Sequence, residues 1–246
     1  MIEKTLHLET TDGEMSTFVT HPEAPGAYPV VILYMDAPGI REELRDFARR
    51  IASVGYYCML PSLYYRDGDA TFPTADKRTE AETLKMRMLM DALTNARVVA
   101  DTRALLAAID EDPAARQGAL GCIGYCMSGR YVLTLAGTFP ERFRACVAMH
   151  GVGMLTDQPD SPHKLIPKLQ GGHYWGFAEV DEHVPLDEVA ALREAVAQAG
   201  LSKAVHIEVQ PETQHGFVFP QRTIYHRAEA ERYWERTFAL FKEQLG

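Results

Sequence analysis

Residues 29–35, PVVILYM, form a near-continuous apolar run between a proline and the turn-forming stretch Asp36-Ala37-Pro38-Gly39. A strand with one face in water alternates apolar and polar residues, whereas an unbroken run suits a strand covered on both faces. Short runs of the same kind recur as YYCMLP, ALGCIGY, RACVAMH, HYWGFAEV and AVHIEVQ. Between them lie segments with helical spacing: 41–55 ending at Gly55, 79–94, 97–110, 127–138, 186–199 and 225–245. This alternation predicts an α/β chain with a mostly parallel central sheet and helices on both faces. KTLHLET and MSTFVTH, around Asp12-Gly13, predict an opening hairpin. No repeat or low-complexity linker divides the 246 residues, so one domain over 1–246 is expected, with a long loop at about 62–78 that reads as a binding loop or lid.

A content of 46% hydrophobic and 24% charged residues supports a sizeable core. The net charge is −9 and no basic cluster of five or more occurs, so the electrostatic footprint for nucleic acid or an anionic membrane surface is missing. The N-terminus has charges spaced through it and no apolar leader core, and no apolar run reaches the roughly 18 residues a membrane span needs. Cys58, Cys122 and Cys146 sit inside apolar strand-like runs, as buried reduced thiols do. These features predict a cytoplasmic protein without nucleic-acid or membrane partners.

The fourth cysteine stands apart. Gly124-Tyr125-Cys126-Met127-Ser128-Gly129 falls where a strand passes into a helix, at the strand end where open α/β sheets place their chemistry. Small flanking residues let the chain turn sharply enough to project a nucleophile above the sheet and to offer the next amide to an oxyanion. Cysteine is also a common core residue, and the pentapeptide does not separate the two readings. Ser128 as nucleophile would place Arg130 two residues on, too bulky for such a turn.

A reactive thiol needs a base, and an imidazole needs a carboxylate to fix its tautomer. Among nine histidines, only His215 follows the final predicted strand and precedes the final helix. His150 and His173 lie at strand ends as weaker rivals that fit buried, hydrogen-bonded packing residues. Asp181 follows HYWGFAEV immediately, while Asp157, Asp160 and Asp187 fit loop or helix-capping roles. Cys126, Asp181 and His215 therefore occupy three strand ends in the order nucleophile, acid, histidine.

Here the chain resembles the dienelactone hydrolase family of the α/β-hydrolase fold: GYCMSG corresponds to its cysteine elbow, AEVDEHVP to its acid and TQHGF to its histidine. The resemblance covers almost the whole chain and implies hydrolysis of small carboxylic esters or enol-lactones through an acyl-enzyme. It implies a Cys126–His215–Asp181 triad, oxyanion amides at Ala37 and Met127, and no cofactor. Two positions depart from the pattern: Ser128 replaces a glycine, and Asp36 stands where family members carry a glutamate that takes the thiol proton. Family members also bind a substrate carboxylate through arginines, for which Arg78 and Arg222 are the candidates; an anionic substrate would follow.

Other classes fare worse on the residues. Gly121, Gly124 and Gly129 do not form a dinucleotide fingerprint, and no phosphate-binding Gly-Lys-Ser/Thr exists. Cys122 and Cys126 lack the second pair that a zinc site requires, so no metal is expected. The sequence leaves open a thioesterase or general carboxylesterase on the same fold, a hydrolase-fold binding protein without catalysis, and the oligomeric state.

Overall fold

The computed structural model describes residues 1–246, which divide into two compact units, 1–118 and 119–246. In the first, β1 (Ile2–Thr10) and β2 (Gly13–His21) form the expected hairpin around Asp12-Gly13. The apolar run becomes β3 (Val30–Tyr34), buried along its whole length. After it comes α1 (Glu42–Ser53), whose buried Leu44, Phe47, Ala48, Ile51 and Ala52 recur at the spacing of one helical face. Gly55, at φ +100°, ends that turn. β4 (Tyr57–Pro61) pairs parallel with β3 and antiparallel with β2, giving the order β1-β2-β4-β3.

The long loop is not a free flap over its first half. Tyr65 donates to Asp101 at 2.8 Å and Arg66 grips the same buried carboxylate at 2.9 and 2.8 Å. Beyond it, Thr79 and Glu82 form a reciprocal capping box that starts α2 (Glu80–Ala92). Thr94 caps α3 (Asn95–Glu111).

The second unit is a wholly parallel array, β5 (Leu120–Tyr125), β6 (Phe143–Met149), β7 (Gly172–Val180) and β8 (Val205–Gln214), in that order. Its helices are α4 (Gly129–Thr138), α5 (Leu186–Gln198) and α6 (Arg227–Leu245). Two glycines of β5 show how both faces are covered. A side chain at Gly121 would meet Phe241 and Leu245 of α6, and one at Gly124 would meet Val132 of α4. Three residues apart on a strand, they point to opposite faces. α4 is buried almost all round, from Tyr131 to Gly137, as suits a helix following the central elbow. Burying Phe241 and Leu245 contributes roughly 1.5–3 kcal/mol each.

Together the units have the elements of the α/β-hydrolase fold, with a mixed rather than uniformly parallel strand set because β1 and β2 run antiparallel. No helix is long and apolar enough to cross a membrane. Cys58, Cys122 and Cys146 are buried free thiols, as their apolar settings predict.

Candidate active site

Cys126 sits immediately after β5 with φ +52°, a left-handed backbone rare outside glycine. A turn of 3-10 helix over Cys126–Ser128 follows and leads into α4. The strain is held by hydrogen bonds: the Cys126 carbonyl accepts the amide that caps this turn and, at 2.8 Å, the amide of Val152. Two glycines permit the bend by close approach. A Cβ at Gly124 would lie 2.6 Å from the Ser128 carbonyl oxygen, and one at Gly129 would lie 2.2 Å from the Gly151 Cα. Ser128, by contrast, has ordinary right-handed angles, φ −83° and ψ −5°. That is why a serine fits there: the tight contacts fall on its neighbours. Ser128 itself is fully buried, and Met127 is buried beside it.

The acid and the base meet through strand register. Ala178 pairs with Gln210 and Val180 with Gln214, so β8 carries two extra residues over this span. Pro211 and left-handed Glu212 (φ +56°) take up the excess. The Glu212 amide donates to Glu179 at 2.8 Å, and the Thr213 hydroxyl donates to the Gln210 carbonyl at 2.7 Å. With Val180 opposite Gln214, the next residue on each strand is Asp181 and His215. Their separation, Oδ2 to Nδ1, is 2.7 Å. An ionised carboxylate only accepts, so Nδ1 carries the proton. The other oxygen of Asp181 accepts the amides of His183 (2.8 Å) and Val184 (3.3 Å), which locks the buried carboxylate in place.

Burial works against a charged imidazole at His215. Hydrogen bonding to Asp181 and to Cys126, with the charge of both, outweighs it and lifts the group to about 10. Nδ1 of His215 is taken by Asp181, and Cys126 acts on the ring by hydrogen bonding first and by its charge second. The three residues that the sequence places at separate strand ends are thus neighbours within one unit.

Two further histidines pack on His215, His150 with ring centres 4.6 Å apart and His183 at 4.8 Å. The sequence offers His150 only as a rival base or a hydrogen-bonded packing residue. It is buried, yet neither ring nitrogen is hydrogen-bonded to another residue. His173 behaves as that packing reading expects, with Nε2 3.1 Å from the Gln170 carbonyl.

In the first unit, Asp36 is fully buried just beyond β3 and paired with Arg41, 2.5 Å from Oδ1 to Nη1 and 3.3 Å from Oδ2 to Nη2. The same guanidinium holds Glu43 at 2.8 Å. Burial disfavours the cation, but the two carboxylates more than restore it. Arg41 is the residue that motif reading misses, although its place five positions after Asp36 beside Glu42-Glu43 was a signal. The Ala37 carbonyl accepts from the Tyr64 hydroxyl at 3.0 Å.

Of the two candidate arginines, Arg222 lies in the same unit as His215. Its guanidinium stacks 4.2 Å over Phe219 and crowds Gly216, the residue after His215. Arg78 donates instead to Thr83 at 3.1 Å and lies 3.0 Å from the Met86 sulfur, at the start of α2.

The model of the dienelactone hydrolase family matches residues 15–245. The chain belongs to the dienelactone hydrolase family. It is 25% identical over 236 residues to a "Putative carboxymethylenebutenolidase" of Synechocystis sp., covering 94% of this chain and 93% of that one. With the protein of the same name from Salmonella typhi it shares 30% over 241 residues, 95% of this chain and 84% of the other. Among solved structures it resembles the "Putative Dienelactone Hydrolase" of Klebsiella pneumoniae, with a TM-score of 0.86, 26% identity and 98% of each chain covered. As a dienelactone hydrolase family member, the chain is a hydrolase of the carboxylic ester class.

Proposed function

We propose that this hydrolase opens small carboxylic esters or enol-lactones of the dienelactone type by nucleophilic catalysis at Cys126. The observation that carries the reading is the left-handed Cys126 beside a His215 whose other nitrogen is held by Asp181. His215 takes the thiol proton and the thiolate attacks the carbonyl carbon. The Met127 amide, the first after the nucleophile, stabilises the oxyanion. The carbon–oxygen bond breaks, and the leaving oxygen receives the proton from His215. Water then attacks the thioester, gives its proton to His215, and the thiol leaves reprotonated. An enolate leaves readily, which suits a sulfur nucleophile.

Asp36 and Ala37 carry their roles from the family resemblance: Asp36 as the carboxylate that influences the resting thiol, and the Ala37 amide as a second oxyanion donor. Arg222 and Arg78 are proposed as partners of a substrate carboxylate. The reaction is intracellular and uses neither metal nor cofactor in this reading.

A panel of p-nitrophenyl esters, enol-lactones and acyl thioesters, assayed with wild type and Cys126→Ala, tests the proposal. Enol-lactone hydrolysis that disappears in Cys126→Ala is the expected result. A preference for thioesters would make the chain a thioesterase. Equal rates for both proteins would remove Cys126 from the chemistry, and labelling by an electrophile at Ser128 with the Cys126 thiol intact would move it there.

A further inference from the structure

His150 has three features that packing alone does not require. It lies just beyond β6 with φ +41°, a strained left-handed backbone for a side chain branching at the ring. Its amide is committed to the Gly176 carbonyl at 2.6 Å, so the strain is fixed in place. Both ring nitrogens are buried with no hydrogen bond to another residue, although a neutral imidazole has one proton to give and one lone pair to fill. A phenylalanine would fill the same space without leaving two polar atoms unpaired.

The surroundings narrow what those atoms can do. Tyr125, Phe217 and Phe219 wall the ring with centres 5.9–6.1 Å away. The polar group packed against it is His215, at 4.6 Å. Burial, and then the charges of His215, Arg222 and His183, push its pKa well below the ordinary histidine value. His150 is therefore locked in the uncharged form, with a lone pair available, whenever its neighbour is cationic. Two residues on, the Val152 amide holds the Cys126 carbonyl, so one short turn touches both the elbow and the base.

We propose that His150 is a positioning residue for the base, an uncharged acceptor of a hydrogen bond from Nε2–H of the His215 imidazolium in the tetrahedral intermediate, when the sulfur is bonded to carbon and no longer a thiolate. This rests on the catalytic reading of Cys126 and His215. While the sulfur is a thiolate, its charge holds the imidazolium. When the sulfur bonds to the carbonyl carbon that charge passes to the substrate oxygen, and Asp181 still occupies only Nδ1. A lone pair from His150 keeps the second N–H satisfied until the leaving oxygen collects the proton. The groups facing His215 during this interval are Asp181 and His183 from the segment after β7, the carbon-bonded sulfur of Cys126, and His150 from the turn after β6, with the Arg222 cation beside Gly216.

The test uses the full chain carrying Cys126→Ala, in which the thiolate charge is absent as it is once the sulfur is bonded to carbon. The His215 midpoint is read by NMR titration of labelled histidine, independently of turnover. Adding His150→Phe, which keeps a ring but removes the acceptor, lowers that midpoint by about one unit, a tenfold loss in proton affinity. His150→Gln, which keeps an acceptor, holds it within about 0.3 units. Equal midpoints in the Phe and Gln variants, or a midpoint that neither variant moves, overturn the proposal. Should the Phe protein fail to fold, His150→Leu makes the same comparison. Failure of the parent catalytic reading shows elsewhere, as ester turnover that survives in Cys126→Ala alone.

Discussion

The Asp181 carboxylate holds Nδ1 of His215 at 2.7 Å while its other oxygen is fixed by the amides of His183 and Val184. The pair is thus oriented before substrate arrives. Asp181→Asn and His215→Ala are each expected to lower turnover at least a hundredfold, the scale of lost general acid–base help. Steady-state kinetics on the best ester of the panel measures this. Near-wild-type rates in a folded variant would redirect the search to His150.

The same pair gives a pH signature. Folded His215 sits at about 10, above the roughly 6.5 of an unfolded histidine. Its protonation therefore stabilises the native state fully below about pH 6.5, and the contribution is lost as pH rises through 10. Urea unfolding of wild type and Asp181→Asn at pH 6, 8 and 10 should show a stability gap that narrows with pH by about 1 kcal/mol or more. A constant gap would falsify the ion pair.

Cys126 stores backbone strain. Cys126→Gly is expected to be about 1 kcal/mol more stable than Cys126→Ala, because glycine alone takes φ +52° without penalty. Denaturant midpoints of the two inactive proteins decide it. An alanine protein as stable as the glycine one would mean the elbow relaxes when the thiol is removed.

Asp36 is bound to Arg41 in a buried pair, so losing its charge removes one of the two carboxylates that offset the burial of the guanidinium. Asp36→Asn is expected to destabilise by about 3 kcal/mol, and Asp36→Asn with Arg41→Met to recover part of that. If Asp36 also influences the thiol, Asp36→Asn speeds iodoacetamide alkylation at pH 7 while slowing turnover. Both rates within about twofold of wild type would leave Asp36 a purely structural partner of Arg41.

Arg222 stacks on Phe219 beside His215, whereas Arg78 is occupied at the start of α2. Arg222→Ala should raise KM for an acid substrate far more than for its methyl ester, because only the acid loses a charge-assisted bond. Arg78→Ala should act in the same direction, and equal changes for acid and ester would reduce Arg78 to its contacts with Thr83 and Met86. Equal changes for both substrates in Arg222→Ala would reduce that residue to packing.

Much of this was legible because the local signals agree. An unbroken PVVILYM reads as a doubly covered strand and becomes β3, and Thr79-x-x-Glu82 announces the start of α2. The order Cys126, Asp181, His215 placed three groups at strand ends. What the pattern does not carry is long-range register. AVHIEVQ reads as a strand ending at Gln210, yet β8 continues to Gln214 through Pro211, a residue that ordinarily ends a strand. That two-residue excess is what aligns His215 with Asp181. The 3-10 stretch Pro162–Lys168 escaped as well, since its two prolines suppress any helical period. His150 was visible at a strand end, but its unpaired nitrogens depend on neighbours distant in sequence.

The bend at residue 126 is made by its backbone carbonyl, by glycines at 124 and 129, and by the Gly151 backbone pressed against the elbow. These supports are backbone groups and glycines, and the hydrogen bonds among them run through the Cys126 carbonyl. Position 126 is in effect a socket whose shape is independent of what is plugged into it, so an oxygen nucleophile could replace the thiol without remaking the turn. The identity of the attacking atom is then a separable trait, free to change under selection while the mount that aims it stays as it is.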